Sequence, residues 1–106
     1  MSNFLQTLGL ARKARKVIYG IEMVAANSSS VLLILLSNDA GGVVTRRADR
    51  LSKAARAPAL TLPYTGRELG HALGAPACAV VGVIDTGFAT SLRYEAQKLP
   101  GTKEGV

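Results

Sequence analysis

Two cationic runs are the groups in this chain with the most chemical capacity. Arg12, Lys13, Arg15 and Lys16 form the first, and Arg46, Arg47, Arg50, Lys53 and Arg56 form the second. Ammonium and guanidinium groups clustered this way neutralise phosphates, the guanidinium with a planar fork that matches the anion. The groups that would support catalysis are sparse. His71 and Cys78 are the one histidine and the one cysteine, seven residues apart, too few for a metal site. Cys78 lies in an aliphatic run, which favours a buried, inert thiol. The seven carboxylates show no paired spacing for acid–base work, and Glu68 and Asp85 read as helix caps. Neither a G-x-x-x-x-G-K-[ST] loop nor a G-x-G-x-x-G turn occurs. The expectation is a binding protein, not an enzyme, with no metal and no cofactor.

The charge is lopsided. The 106 residues carry thirteen Lys and Arg against seven Asp and Glu, a net +6, with a pI of about 10.0. Residues 1–30 and 31–59 each hold an excess of +3, residues 60–91 come to −1, and the remainder adds +1. A chain that is 48% hydrophobic is not intrinsically disordered, so this asymmetry belongs to one side of a folded domain. The functional reading is a polyanion-binding face; the structural one is a solvated surface that keeps the protein in solution. With two Phe, three Tyr and no Trp, a stacking platform for single strands is not expected. The longest aliphatic run, Val31–Leu36, is too short to span a membrane, and no signal peptide is visible. A cytoplasmic monomer with no membrane partner is expected, the lone cysteine fitting a reducing compartment.

The elements that must position these cations follow from periodicity. Ser2 reads as the cap of a first helix whose inner face is Phe4, Leu8 and Ala11, and the helix ends in the run Arg12–Lys16. Val17–Tyr19 predicts a short strand, Gly20 a break, and Ile21 to about Asn27 a second helix. Val31–Leu36 predicts a central strand buried on both faces. After the loop Ser37–Gly42, a third helix from about Val43 to Arg56 sets Val44, Ala48, Leu51 and Ala55 on one face and Arg46, Arg50 and Lys53 on the other.

Leu60–Tyr64 predicts a strand that Pro63 confines to an edge or an end. Thr65 and Glu68 match a capping box, and Gly66, Gly70 and Gly74 make a flat packing stripe along the fourth helix. Cys78–Ile84 predicts another buried strand, and Asp85 caps a fifth helix with Phe88, Leu92 and Ala96 inside. The sum is one α/β domain over residues 1–99, a three-layer α/β/α sandwich on a four-stranded mixed sheet, with residues 100–106 as a disordered tail.

The run from Leu8 to Glu22 (Leu-Gly-Leu-Ala-Arg-Lys-Ala-Arg-Lys-Val-Ile-Tyr-Gly-Ile-Glu) resembles the opening of the YlxQ proteins. These are bacterial members of the superfamily of ribosomal proteins that bind kink-turn RNA. Val31–Leu36 running into Ser37-Asn38-Asp39-Ala40 is similar to that family's strand and acidic turn. Arg67–Gly74 and Val83–Ala89 are similarly close, so the resemblance covers roughly residues 4–93 in order. It implies an α/β/α sandwich that recognises structured RNA with the Gly20 turn and the start of the second helix, Ile21, Glu22 and Met23. The loop Ala75-Pro76-Ala77 would cover extruded bases.

In the family a Gly-x-Asn-Glu motif and a downstream lysine read sheared G·A pairs; Glu22, Met23 and Ala26 stand at those places here, and Glu at the first fits the YlxQ branch. A carboxylate can accept from a guanine amino or imino group. The expected protein is therefore an RNA-binding, ribosome- or translation-associated module. Arg12, Lys13, Arg15 and Lys16 would hold phosphates, with Arg46, Arg50 and Lys53 as either additional RNA surface or solvated charge. The alternative is a protein-interaction scaffold of the translation or transcription machinery that keeps the fold without kink-turn readout.

Overall fold

In a computed structural model, which describes residues 3–105, helices alternate with strands along the chain. The order is α1 (Asn3–Lys13), β1 (Val17–Tyr19), α2 (Ile21–Ala26), a 3₁₀ turn (Ser28–Ser30), β2 (Leu33–Leu36), α3 (Gly42–Ala55), β3 (Ala59–Thr61), α4 (Gly66–Leu73), β4 (Val80–Val83), α5 (Thr86–Gln97) and β5 (Lys103–Glu104). The five strands form one mixed sheet in the order β1-β4-β2-β3-β5. β2 and β3 are parallel, joined by the α3 crossover, and the other neighbours are antiparallel.

Strict alternation in the central strands makes the sheet two-sided. Leu33 and Leu35 of β2 face one core with Val81 and Val83 of β4, beneath α1, α4 and α5. Ile34 and Leu36 face the other with Val80, beneath α2 and α3. Phe4, Leu8 and Ala11 are the buried stripe of α1, as their period predicts, and Leu92 and Ala96 that of α5 with Phe88 half-buried beside them. The predicted cap Ser2 lies outside the described residues.

The capping box is present in full: the Glu68 amide donates to Thr65 Oγ1 at 3.1 Å, and the Thr65 amide to Glu68 Oε1 at 2.9 Å. Asp85 caps α5 by accepting from the Phe88 amide at 3.0 Å. The glycine stripe divides by role. Gly66 and Gly70 pack against the backbone of residues 75–78, whereas Gly74 (φ 67) ends α4 in the left-handed region that glycine tolerates.

Two expectations are corrected. The sheet has five strands, not four, and the segment expected as a disordered tail supplies the fifth. Leu60 and Thr61 pair with Glu104 and Lys103, and the Gly105 amide donates to the Ala59 carbonyl at 2.7 Å. Glu104 also takes an ion pair from Arg93 at 3.1 Å. A two-residue polar strand has no hydropathic signature; pairing is dictated by the open edge of β3 that would otherwise stay unpaired. The boundaries also shift. Residues 31 and 32 precede β2, with Leu32 exposed, and β3 stops at Thr61, before Pro63, which cannot donate to a ladder.

Candidate functional site

The carboxyl ends of β1, β2 and β3 and the amino end of β4 lie together, so four loops meet there. Gly20 follows β1 with φ 91, a conformation open to glycine at little cost, and its amide donates to the Val80 carbonyl at 2.9 Å. Residues 75–79 lead into β4 on the same end, and the Ser37 amide after β2 donates to the Ala79 carbonyl at 2.9 Å. The Gly20 turn and the Ala75–Ala77 loop are thus brought to one end of the sheet.

Asp39 fastens this end. Its carboxylate accepts from the Gly66 amide at 2.9 Å, tying the β2 loop to the first turn of α4. The neighbouring Ser37 hydroxyl, buried and without a hydrogen bond of full geometry, is the larger influence holding the Asp39 carboxyl below its ordinary value; the Gly66 amide is the second. Cys78 sits beneath, a free buried thiol whose pKa burial pushes up, against smaller opposing hydrogen bonds from the Val80 and Gly20 backbone. That environment suits packing and not nucleophilic attack.

Between the end of α1 and the start of α2 is a shallow cleft of about 310 Å³ lined by Arg12, Val17, Ile18, Tyr19 and Met23. The Arg12 guanidinium lies over the Tyr19 ring, 5.5 Å from its centroid, and its Nε is buried without a hydrogen-bond partner. Met23, 51% exposed, also lines the cleft. The stack holds the guanidinium, and its positive charge, in the wall of an otherwise mostly apolar cleft.

The cations of the first run are not equally placed. Arg12 reaches the cleft; Arg15 and Lys16 are exposed at the opposite end of β1, where the Lys16 carbonyl accepts from the Ile84 amide. A three-residue strand separates the two ends by about 10 Å, so Arg15 and Lys16 are not brought to the Gly20 turn, and Lys13 is exposed at the end of α1. Ile21 is half-buried against the α2–α3 core and acts in packing. Pro76 and Ala77 are exposed and Ala75 is half-buried. α2 is only six residues long with no side-chain cap, so the Gly20 turn contributes shape more than helix-dipole potential.

Glu22 is the residue whose surroundings sequence reasoning missed. Its Oε2 accepts from Arg47 Nη1 at 2.8 Å and its Oε1 from Arg47 Nη2 at 3.3 Å, a bidentate pair between the first turn of α2 and α3. The arginine holds the Glu22 carboxyl below its ordinary value, and Glu22 raises the Arg47 pKa in return. The partners are far apart in sequence, and no local spacing announces them. On α3, Lys53 pairs with Asp49 at 3.1 Å, while Arg46 and Arg50 have no ion pair among the described residues. The three α3 cations read together from sequence therefore divide into one that is tied and two that are free. Among the described residues no group of acidic, histidine and cysteine side chains could hold a metal ion, and no helix is long and apolar enough to cross a membrane.

Comparison with known proteins adds a fold relative. The chain is similar to a solved structure of a protein of unknown function from Bacillus halodurans, with a TM-score of 0.86 and 29% sequence identity. The match covers 92% of this chain and 100% of the other. No protein-family model matches the sequence, and no curated protein does so.

Proposed function

We propose that the protein binds structured RNA at the end of the sheet formed by the Gly20 turn, the Arg12–Met23 cleft and the Ala75–Ala77 loop. The observation that carries this reading is Arg12, a half-buried cation stacked on Tyr19 in the lining of an apolar cleft. A phosphate or a base edge meets the charge of the Arg12 guanidinium, Met23, Pro76 and Ala77 give apolar cover to an unstacked base, and Lys13, Arg15 and Lys16 extend the positive charge for the backbone. Irregular RNA, with bases turned out of the helix, has the shape that such a site reads; kink-turn-like internal loops are the candidate class. The resemblance to YlxQ proteins supports the same choice and a place in the cytoplasm beside the ribosome or translation machinery.

Glu22 acts here as a positioned acceptor. Arg47 occupies part of its lone-pair capacity, and the remainder can take guanine donors. The bidentate pair also supports a second reading, in which the carboxylate is a structural tie and the fold serves as a protein-interaction scaffold of the translation or transcription machinery.

The deciding experiment is a salt titration of binding to a kink-turn RNA and to the same RNA with its sheared G·A pairs converted to Watson–Crick pairs. Submicromolar binding to the first, at least about tenfold weaker to the second, is the expected result. Equal binding to both, collapsing as salt rises, refutes structured recognition and favours the scaffold.

A further inference from the structure

α3 crosses from β2 to β3 on the same side of the sheet as α2, and both helices begin at the end where the Gly20 turn lies. The Glu22–Arg47 pair sets their rotation: Arg47 must point toward the first turn of α2. With about 100° per residue, Arg50 then lies about 60° and Arg46 about 100° around α3 from Arg47, turning away from buried Ala48. These two arginines, one helical turn apart, therefore continue outward from the Gly20 turn as a strip along the middle of α3. Both are exposed, neither has an ion-pair partner among the described residues, and with Thr45 and Asp49 they line a shallow groove of about 260 Å³. Like charges at this spacing repel, so the strip gains when an anion sits between them.

We infer that Arg46 and Arg50 form a second backbone-binding strip, which takes phosphates of a helical arm flanking the RNA feature seated at the Gly20 turn. This inference rests on the RNA-binding reading above and deepens it: the strip reads no base and lengthens the contact in one direction. Its ligand is a phosphodiester backbone, favoured by charge complementarity and by continuity with the Gly20 end of the sheet. Asp49, which lines the groove, is tied to Lys53 at 3.1 Å, and Lys53 itself lies outside the groove.

The test uses the full chain and two RNAs that share one kink-turn, the first with minimal arms and the second with one arm lengthened by a helical turn. The wild type is expected to bind the long-armed RNA more tightly. The double variant Arg46→Gln/Arg50→Gln is expected to lose about tenfold on the long-armed RNA, with the log–log salt slope shallower by about 1.4–1.8, while binding to the short-armed RNA is unchanged. Arg12→Gln should weaken both RNAs. If the double variant leaves the long-armed affinity and slope unchanged while Arg12→Gln weakens both, the strip is overturned and the Gly20 site stands. If the wild type binds neither RNA, both readings fall. Polyglutamate competing as well as the long-armed RNA, at equal charge concentration, overturns the RNA assignment in favour of an acidic protein. Both side chains are exposed, so folding of the double variant is checked by circular dichroism, and Arg46→Lys/Arg50→Lys should restore most of the slope.

Discussion

Substituting Gly70 by alanine tests how the Ala75–Ala77 loop is held in place. A Cβ at Gly70 would fall deep inside the Pro76 carbonyl group and 3.0 Å from the Ala75 carbonyl oxygen. Both obstacles are backbone, so relief requires residues 75–77 to move outward as a unit. That motion strains the bonds that clip the loop to α4, from the Ala75 amide to the Gly70 carbonyl at 2.8 Å and from the Cys78 amide to the Gly66 carbonyl at 2.9 Å. Overpacking of this kind costs about 1–3 kcal/mol, and a weakened hydrogen bond adds about 1 kcal/mol.

Alanine recovers up to about 1 kcal/mol of helix propensity, leaving a net loss of about 1–3 kcal/mol. In urea denaturation this appears as a lower midpoint at unchanged slope, and in thermal unfolding as a Tm lower by at least about 4 °C. Gly74→Ala is the companion: nothing lies within 4 Å of its Cβ, and φ 67 alone should cost about 1 kcal/mol. A Gly70→Ala stability within about 0.5 kcal/mol of wild type, or a larger loss for Gly74→Ala, refutes the close-approach argument.

Further outcomes follow from other contacts. Glu22→Gln should release Arg47 for phosphate, steepening the salt dependence of RNA binding by about 0.7–0.9 in slope and narrowing the preference for sheared over Watson–Crick pairs; an unchanged slope in the same titration removes Arg47 from the accessible charge. Asp39 has its folded pKa below its ordinary value of 3.8, so it stabilises the fold fully above that value and loses the contribution as pH falls through the lower folded value. Asp39→Asn should accordingly flatten the acid limb of a stability–pH curve below about pH 4, and an unaltered limb rules out the tie to Gly66. Gly41 caps α3 in an extended conformation with no side-chain bond and open space at its Cβ. Gly41→Ser should raise stability by a few tenths of a kcal/mol, measurable as a higher denaturation midpoint.

Much of the architecture was legible because its causes are local. The buried runs of β2 and β4, the inner stripe of α1, the amphipathic α3, the Thr65–Glu68 capping box and the Asp85 cap all depend on residues within a few positions of one another. β5 was not legible: Lys103 and Glu104 have no strand-like composition, and they pair because β3 leaves an open edge that the turn at Gly101 lets them reach. The glycine stripe was seen as a packing surface, but its partner, the backbone of the loop that follows, belongs to tertiary structure.

The candidate site divides in the same way. Sequence alone determined the cationic bias, the glycine that breaks the chain after β1, and the short apolar loop before β4, because charge, conformational freedom and polarity are properties of residues. Tertiary structure decided that Arg12 alone of its run stacks on Tyr19 in the cleft and that Glu22 is held by Arg47, whereas the Lys53–Asp49 tie is a local i,i+4 pair within α3. The first two outcomes depend on which helices the two-sided sheet brings side by side, and on the angle at which they meet. Ion pairs between exposed side chains on different helices leave no local trace, since each partner would look equally at home in water.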